Sequence, residues 1–306
     1  MKVLIATQKP FSAAAVAGIK EILEGKGHKV ALLEKYPEQK DLVAAVSDSD
    51  ALIVRSDKVT AEVIAAAPKL KIVVRAGAGF DNVDLAAATA RGIVVMNTPG
   101  QNSNAVAELA VAMMIFMART QFTPATGSEI EGKRLGIQAF GNVGRLVGKK
   151  AEALGMKVLA LDPFLSPEQI REGGAEPVTD LEALYASSDF LSVHIPALPS
   201  TIGSIGYDLI CKMPKGAVLV NTARKEVIDE AGLMKALEER QDLRYITDVM
   251  PDNYDAMREK FGLRVFATPK KMGAQTAEAN MNAGLAAARQ ICGYFADGCT
   301  RFQVNK

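Results

Sequence analysis

The feature that most constrains this chain is its rhythm: short apolar, β-branched runs recur almost from end to end, with longer helix-like stretches between them. Runs that are apolar throughout, instead of alternating, suit strands buried on both faces. Helices crossing over a parallel sheet provide that burial. Predicted strands are Lys2–Thr7, Lys29–Leu33, Ala51–Val54, Lys71–Arg75 and Ile93–Met96. A second series comprises Leu135–Ala139, Lys157–Leu161, Phe190–Val193, Ala217–Asn221, Arg244–Thr247 and Val265–Ala267. The intervening stretches, such as Ser12–Lys26 and Glu230–Glu239, carry apolar residues at helical spacing. The fold class expected is α/β, with parallel sheets in two domains.

Two long apolar stretches break the rhythm. Ser103–Arg119 places Ala, Val, Leu and Met on nearly every face, which reads as a buried helix. The other, Thr276–Ala296, is rich in alanine. The loop Thr120–Lys133, with Pro124, Gly127 and Gly132, reads as a hinge region. The two strand series imply two domains with the long helices as crossovers, and 306 residues suffice for two cores.

Charge narrows the function classes. With 36 basic and 35 acidic residues the net charge is +1, which gives no electrostatic reason to expect a nucleic acid or an anionic membrane as partner. Cys211, Cys292 and Cys299 are scattered without a Cys-x-x-Cys pair, so no metal site or disulfide framework is indicated and a reducing compartment is expected. The apolar run after Lys2 is too short for a signal peptide or a membrane span, so a cytoplasmic location is expected.

The second series opens with Leu135-Gly-Ile-Gln-Ala-Phe-Gly-Asn-Val-Gly144 and then a helical pattern, Arg145–Leu154. This is close to a dinucleotide-binding fingerprint, in which a strand turns sharply into a helix whose free N–H groups and dipole receive a pyrophosphate. Gly141 is expected to admit the pyrophosphate, and Gly144 to let the helix pack on the strand. Ala139 stands where the fingerprint has its first glycine. A positive φ there costs alanine on the order of 1 kcal/mol. Asp162 ends the next strand, where an acid bonds ribose hydroxyls and repels the extra phosphate of NADP.

Further segments gather these signals into a family. Arg75-Ala-Gly-Ala-Gly-Phe-Asp-Asn-Val-Asp84 and Asn97-Thr-Pro-Gly-Gln-Asn-Ser-Asn-Ala-Val-Ala-Glu108 resemble blocks of the D-2-hydroxyacid dehydrogenases. So do His194-Ile-Pro and Asn221-Thr-Ala-Arg-Lys-Glu-Val-Ile-Asp229. Arg55-Ser-Asp-Lys-Val-Thr60 resembles a segment of the branch that oxidises D-3-phosphoglycerate, one residue shorter. The resemblance implies two Rossmann-like domains with a cleft between them: a flavodoxin-like substrate domain (1–98 plus 285–306) and an NAD-binding domain (99–284). It also implies a homodimer in the cytoplasm.

Site residues follow from the same resemblance. Arg224 is expected to bind the substrate carboxylate, helped by the backbone N–H groups of Ala76 and Gly77. Arg55 and Lys58 are candidates for a substrate phosphate. Gly141, Asn142, Val143, Gly144, Asp162, His194, Thr222 and Asp248 are expected at the cofactor, NAD.

The catalytic pattern departs from the family, which places a histidine just after a Thr-Pro dipeptide. Here Thr268-Pro269 is followed by Lys270-Lys271-Met272-Gly273-Ala274. Of the two histidines, His28 is expected at the surface and His194 near the cofactor in a structural role. The family's partner glutamate is also absent, and Asp248-Val-Met-Pro-Asp-Asn-Tyr offers Asp252 and Asn253 instead. Oxidising a 2-hydroxy acid sends a hydride to the nicotinamide and the hydroxyl proton to a base. A free lysine is neutral in roughly one molecule in 250 at pH 8, so a lysine base needs a lowered pKa. Neighbouring positive charge and burial beneath the cofactor both act in that direction.

Anchoring the segment on Thr268-Pro269 selects Lys270, and anchoring on Met272-Gly273-Ala274 selects Lys271. The activity implied is oxidation of 3-phosphoglycerate, a small phosphorylated 2-hydroxy acid, to 3-phosphohydroxypyruvate. The alternatives are a glyoxylate or hydroxypyruvate reductase and an NAD-binding sensor without catalysis.

Overall fold

The computed structural model describes residues 1–306. The chain forms two compact units, Met1–Asn102 with Gln275–Lys306, and Ser103–Ala274. The first unit runs β1 (Lys2–Thr7), α1 (Ala13–Glu24), β2 (Lys29–Glu34), α2 (Gln39–Val46), β3 (Ala51–Val54), α3 (Ala61–Ala65), β4 (Ile72–Arg75), α4 (Leu85–Ala90) and β5 (Val94–Asn97). The second begins with α5 (Ser103–Ala118), β6 (Arg134–Gln138), α6 (Asn142–Ala153), β7 (Lys157–Leu161), α7 (Pro167–Glu172), β8 (Glu176–Pro177) and α8 (Leu181–Ala186). It continues with β9 (Phe190–Val193), α9 (Tyr207–Cys211), β10 (Val218–Asn221), α10 (Glu230–Glu239), β11 (Arg244–Thr247), α11 (Tyr254–Phe261) and β12 (Val265–Ala267). Helix α12 (Ala277–Asp297) returns the chain to the first unit.

Local chemistry sets these boundaries. Ser12, Thr60, Asp84 and Thr276 cap α1, α3, α4 and α12 by accepting N–H bonds from the first turn. Ser166 and Gln169 form a capping box on α7, with Pro167 in its first turn. Gly298, at φ +71°, closes α12 in the left-handed conformation. Helix α6 differs, since Gly141 precedes it and supplies no side-chain cap.

Both sheets are wholly parallel. The first has the order β2-β1-β3-β4-β5 and the second β12-β11-β10-β9-β6-β7-β8. These are the flavodoxin-like and dinucleotide-binding arrangements, with strand order reversing between β1 and β3 and between β6 and β9. Alternate strand residues feed opposite faces. Val3, Ile5 and Ile53 pack with α1 and α12, while Leu4 and Leu52 pack with α2 and α3. In the second unit Leu135, Ile137 and Val220 meet α5 and α6, and Leu191, Val193 and Leu219 meet α9 and α10.

Every predicted strand is present to within one residue at either end, and α5 is buried along most of its length. Strand β8 was not predicted, because two residues ending in proline leave no periodicity to read. The loop after α5 opens with a left-handed turn, Thr120–Phe122, at φ +51° to +57°. The Gln121 amide there bonds the Leu263 carbonyl at 2.8 Å. His28 is not at the surface as expected but half-buried, its ring 5.5 Å from that of Phe295. The units divide at 102/103 and 274/275, where the sequence suggests 98/99 and 284/285, because α12 packs on α1 as one uninterrupted helix.

Candidate active site

At the reversal point of the seven-stranded sheet, β6 turns into α6 through Ala139-Phe-Gly141. The turn holds Ala139 at φ +75°, the conformation that favours glycine, and its N–H bonds the Leu161 carbonyl at 2.9 Å. The two glycines do different work. A Cβ on Gly144 would lie 2.3 Å from the Ala139 carbonyl oxygen, so no side chain fits there. A Cβ on Gly141 would meet nothing within 4 Å. The fold therefore does not require Gly141, and its bareness leaves open space above the first turn of α6. The N–H groups of Asn142, Val143 and Gly144 have no acceptor within the helix and point into that space. Asp162, at the end of β7, braces the loop, accepting from Phe140 N at 2.8 Å and Phe164 N at 2.9 Å.

The ends of β9 and β10 line the next part of the edge. His194 N bonds the Gln138 carbonyl, extending β9 past β6, and its Nε2 lies 2.9 Å from Ser192 Oγ. Burial pushes the imidazole pKa down to about 4, so the ring is neutral at physiological pH. Thr222 follows β10 with its hydroxyl buried and without a hydrogen-bond partner. Buried Asn221 shapes the turn that carries Arg224. Its Oδ1 accepts from Ala223 N at 2.9 Å, and its Nδ2 donates to the Arg224 carbonyl at 2.8 Å.

The two-lysine segment is a loop pinned at both ends by one carboxylate. Asp248, fully buried after β11, accepts from Thr268 Oγ1 at 2.8 Å, Met272 N at 2.7 Å and Gly273 N at 2.8 Å. The sequence suggests Asp248 as a cofactor contact, and its carboxylate also holds the loop, with Oδ2 accepting only one of these three bonds. From that loop Lys271 Nζ donates to the Ala223 carbonyl at 3.2 Å, and Arg224 Nη1 donates to the same oxygen at 2.9 Å. The two nitrogens are thus no further apart than two hydrogen bonds end to end. Lys270 and Lys271 are both exposed, so the burial expected for a lysine base is not seen in the protein alone, and Lys270 does not share this contact.

The residues standing in for the family glutamate lie nearby. Asp252 is exposed and paired with Lys225, while the Asn253 Oδ1 is buried without a partner. Both backbone N–H groups are held by the Glu230 carboxylate, at 2.9 and 3.3 Å.

In the first unit, Arg55 follows β3. Its Nη1 donates to the carbonyls of Lys9 (2.9 Å) and Pro10 (3.0 Å), and its Nη2 donates to Asn280 Oδ1. The guanidinium carbon also lies 5.2 Å from the Phe11 ring centroid. Those bonds leave Nε–H and one Nη2–H for an anion, and burial pushes the guanidinium pKa down. Lys58 is exposed. Ala76 and Gly77 separate: Ala76 N–H is taken by the Val54 carbonyl at 2.8 Å, so only Gly77 retains the expected donor. Gly77, at φ +151°, holds a backbone conformation that disfavours a side chain, and the guanidinium of the flexible Arg75 side chain fills the space beside it.

The sequence reading missed the bracing role of Asp248 and that of Asn221. The signal available was position, each being at or just beyond the end of an apolar strand.

These loops follow a pattern found in known proteins. Residues 5–305 match the D-isomer specific 2-hydroxyacid dehydrogenase, catalytic domain. The D-3-phosphoglycerate dehydrogenase of Mycobacterium tuberculosis is 39% identical over 269 residues, 83% of this chain and 51% of that protein. The Homo sapiens enzyme of the same name is 38% identical over 280 residues, 87% of this chain and 52% of that protein. The chain thus spans about half the length of these relatives. An NAD+-bound 3-phosphoglycerate dehydrogenase from Entamoeba histolytica superposes with a TM-score of 0.91 at 49% identity, covering 100% of this chain and 99% of that one. By its match over nearly its whole length, the chain belongs to the D-isomer specific 2-hydroxyacid dehydrogenase family.

Proposed function

We propose that this chain oxidises D-3-phosphoglycerate to 3-phosphohydroxypyruvate with NAD, using Lys271 as the proton acceptor. The observation that carries the reading is the convergence of Lys271 and Arg224 on the Ala223 carbonyl. That likeness to proteins named phosphoglycerate dehydrogenase supplies the substrate class.

The residues present fit the cofactor. Open space over Gly141, free N–H groups at α6 and the orphaned Thr222 hydroxyl suit a pyrophosphate and its neighbouring groups. Each Asp162 oxygen accepts one backbone bond and retains a lone pair for a ribose hydroxyl. Bound NAD supplies the acceptor for the hydride leaving C2. Arg224 clamps the substrate carboxylate and polarises the oxygen at C2. Lys271 takes the hydroxyl proton as the C2–H bond breaks, becoming an ammonium. Gly77 N–H assists at the carboxylate, and Arg55 and Lys58 hold the phosphate. His194, held neutral, orients and does not exchange protons. We assign the working form as a homodimer, which sedimentation equilibrium checks.

NADH formation from D-3-phosphoglycerate, D-glycerate and D-lactate between pH 7 and 10 tests the reading, with Lys271→Ala and Lys270→Ala beside the native protein. The phosphorylated substrate is expected to dominate. Lys271→Ala is expected to lose about 10²- to 10⁴-fold in kcat, and Lys270→Ala less than about threefold. Full activity in Lys271→Ala removes the lysine base. Equal use of all three substrates removes the phosphate site, and NAD binding without turnover points to a sensor.

A further inference from the structure

We propose that Asp57 is a positioning residue that makes this chain selective for a phosphorylated substrate, an inference that rests on the assignment of Arg55 and Lys58 to the phosphate. Asp57 is 3% exposed and lies between those two residues in the loop after β3. Its Oδ1 accepts from Gln8 N at 2.6 Å and from the Tyr36 hydroxyl at 2.7 Å, and its Oδ2 accepts from Arg55 N at 3.2 Å. Gln8 follows β1, Tyr36 follows β2, and Arg55 follows β3. One carboxylate therefore ties together the carboxyl ends of three neighbouring strands.

The arrangement holds Arg55 twice. Asp57 fixes its backbone directly. Through Gln8 it also fixes the loop whose Lys9 and Pro10 carbonyls take both Nη1 hydrogens. Asn82 Nδ2 adds a brace to the Asp57 carbonyl at 2.7 Å. With those bonds in place the remaining Nε–H and Nη2–H have one direction, and a rigid guanidinium loses little freedom on taking an anion. A buried carboxylate held by neutral donors is an expensive way to close a turn that apolar packing could close. Its return lies in the order it imposes on Arg55. Asp57 touches no substrate, so its effect appears only through what those cations bind.

The test compares the native protein with Asp57→Asn and Tyr36→Phe on D-3-phosphoglycerate and D-glycerate, with NAD saturating. Asparagine turns one accepting oxygen into a donor facing a donor, and phenylalanine removes a single bond while keeping the ring. The phosphoglycerate KM is expected to rise about tenfold in Asp57→Asn and about threefold in Tyr36→Phe, with kcat changed less than about threefold. The KM for NAD stays constant. The preference for phosphoglycerate over glycerate falls by the same factors, which loss of stability alone cannot produce. If Asp57→Asn fails to fold, Tyr36→Phe decides. Equal loss on both substrates, or no loss on either, overturns the proposal. A native protein that never prefers phosphoglycerate, or an Arg55→Ala variant with unchanged KM, defeats the underlying phosphate assignment instead.

Discussion

The two edges of the seven-stranded sheet are built on opposite rules. At the amino edge three arginines close the helix ends and strand starts around them. Arg240 bonds the carbonyls of Cys211, Met213 and Pro214 together with Asp242. Arg244 bonds those of Met117 and Gly216, and Arg264 those of Leu237 and Arg240. At the carboxyl edge the groups are left open: α6 has no side-chain cap, Thr222 Oγ1 and Asn253 Oδ1 are buried without partners, and Ala139 sits at positive φ. The same apolar strands connect the two edges, so the core does not cause the difference. Within this sheet the buried side-chain atoms left without partners, Thr222 Oγ1 and Asn253 Oδ1, both follow the carboxyl ends of strands.

The largest expected effect breaks this contrast at the amino edge. Arg240→Ala leaves three carbonyls and the Asp242 carboxylate without their shared donor. It is expected to cost about 3 kcal/mol or more in urea denaturation while leaving KM and kcat unchanged. Thr222→Val at the other edge removes a hydroxyl that bonds nothing. It is expected to leave the stability of the ligand-free protein within about 0.5 kcal/mol, while NAD binding weakens by calorimetry. If Thr222→Val destabilises as much as Arg240→Ala, the two edges are alike and the contrast fails.

A smaller effect appears in acid. The folded His194 has its pKa near 4 and the unfolded chain near 6.5, so between those values the unfolded chain binds more protons. Stability therefore rises with pH across that window and levels off above it. The change is roughly 2 to 3 kcal/mol for this one residue. His28, also lowered by burial, acts in the same direction, so the informative comparison is native protein against His194→Gln. The variant is expected to show a shallower slope between pH 4 and 6.5. An unchanged slope would mean that the imidazole is not enclosed.

The sheets and the close packing at Gly144 were legible in the sequence, because apolar runs and a strand–turn–helix pattern reflect local physics. Three features were not. Ala76 was expected to offer its N–H, but β4 pairs with β3 in a register that passes this donor to Val54, and register belongs to the sheet. Which of Lys270 and Lys271 reaches the Ala223 carbonyl was not legible, because the segment has one residue too many between its anchors. Asp248 binds both anchors at once, and the loop between them directs Lys271 toward Ala223. Asp57 carried no separate signal in the sequence, since donors that surround it come from two other strands. A carboxylate braced by backbone N–H groups leaves no periodic mark, because its partners are set by topology.

The smallest effect isolates the strain at the open edge. Ala139 occupies φ +75°, where a Cβ crowds the backbone, and the bond from its N–H to Leu161 holds it there. Glycine relieves that contact but adds freedom to the unfolded chain, so the two terms partly cancel. Ala139→Gly is expected to raise stability by about 0.5 to 1 kcal/mol, read as a shift in the urea midpoint at unchanged m. If the methyl also borders the cofactor, the variant binds NAD more tightly than the native protein by more than the relieved strain explains. Equal stability with tighter binding would place the whole cost of this alanine on the ligand. Lower stability would show that the turn is relaxed with alanine in place and that its positive φ is no reservoir of strain.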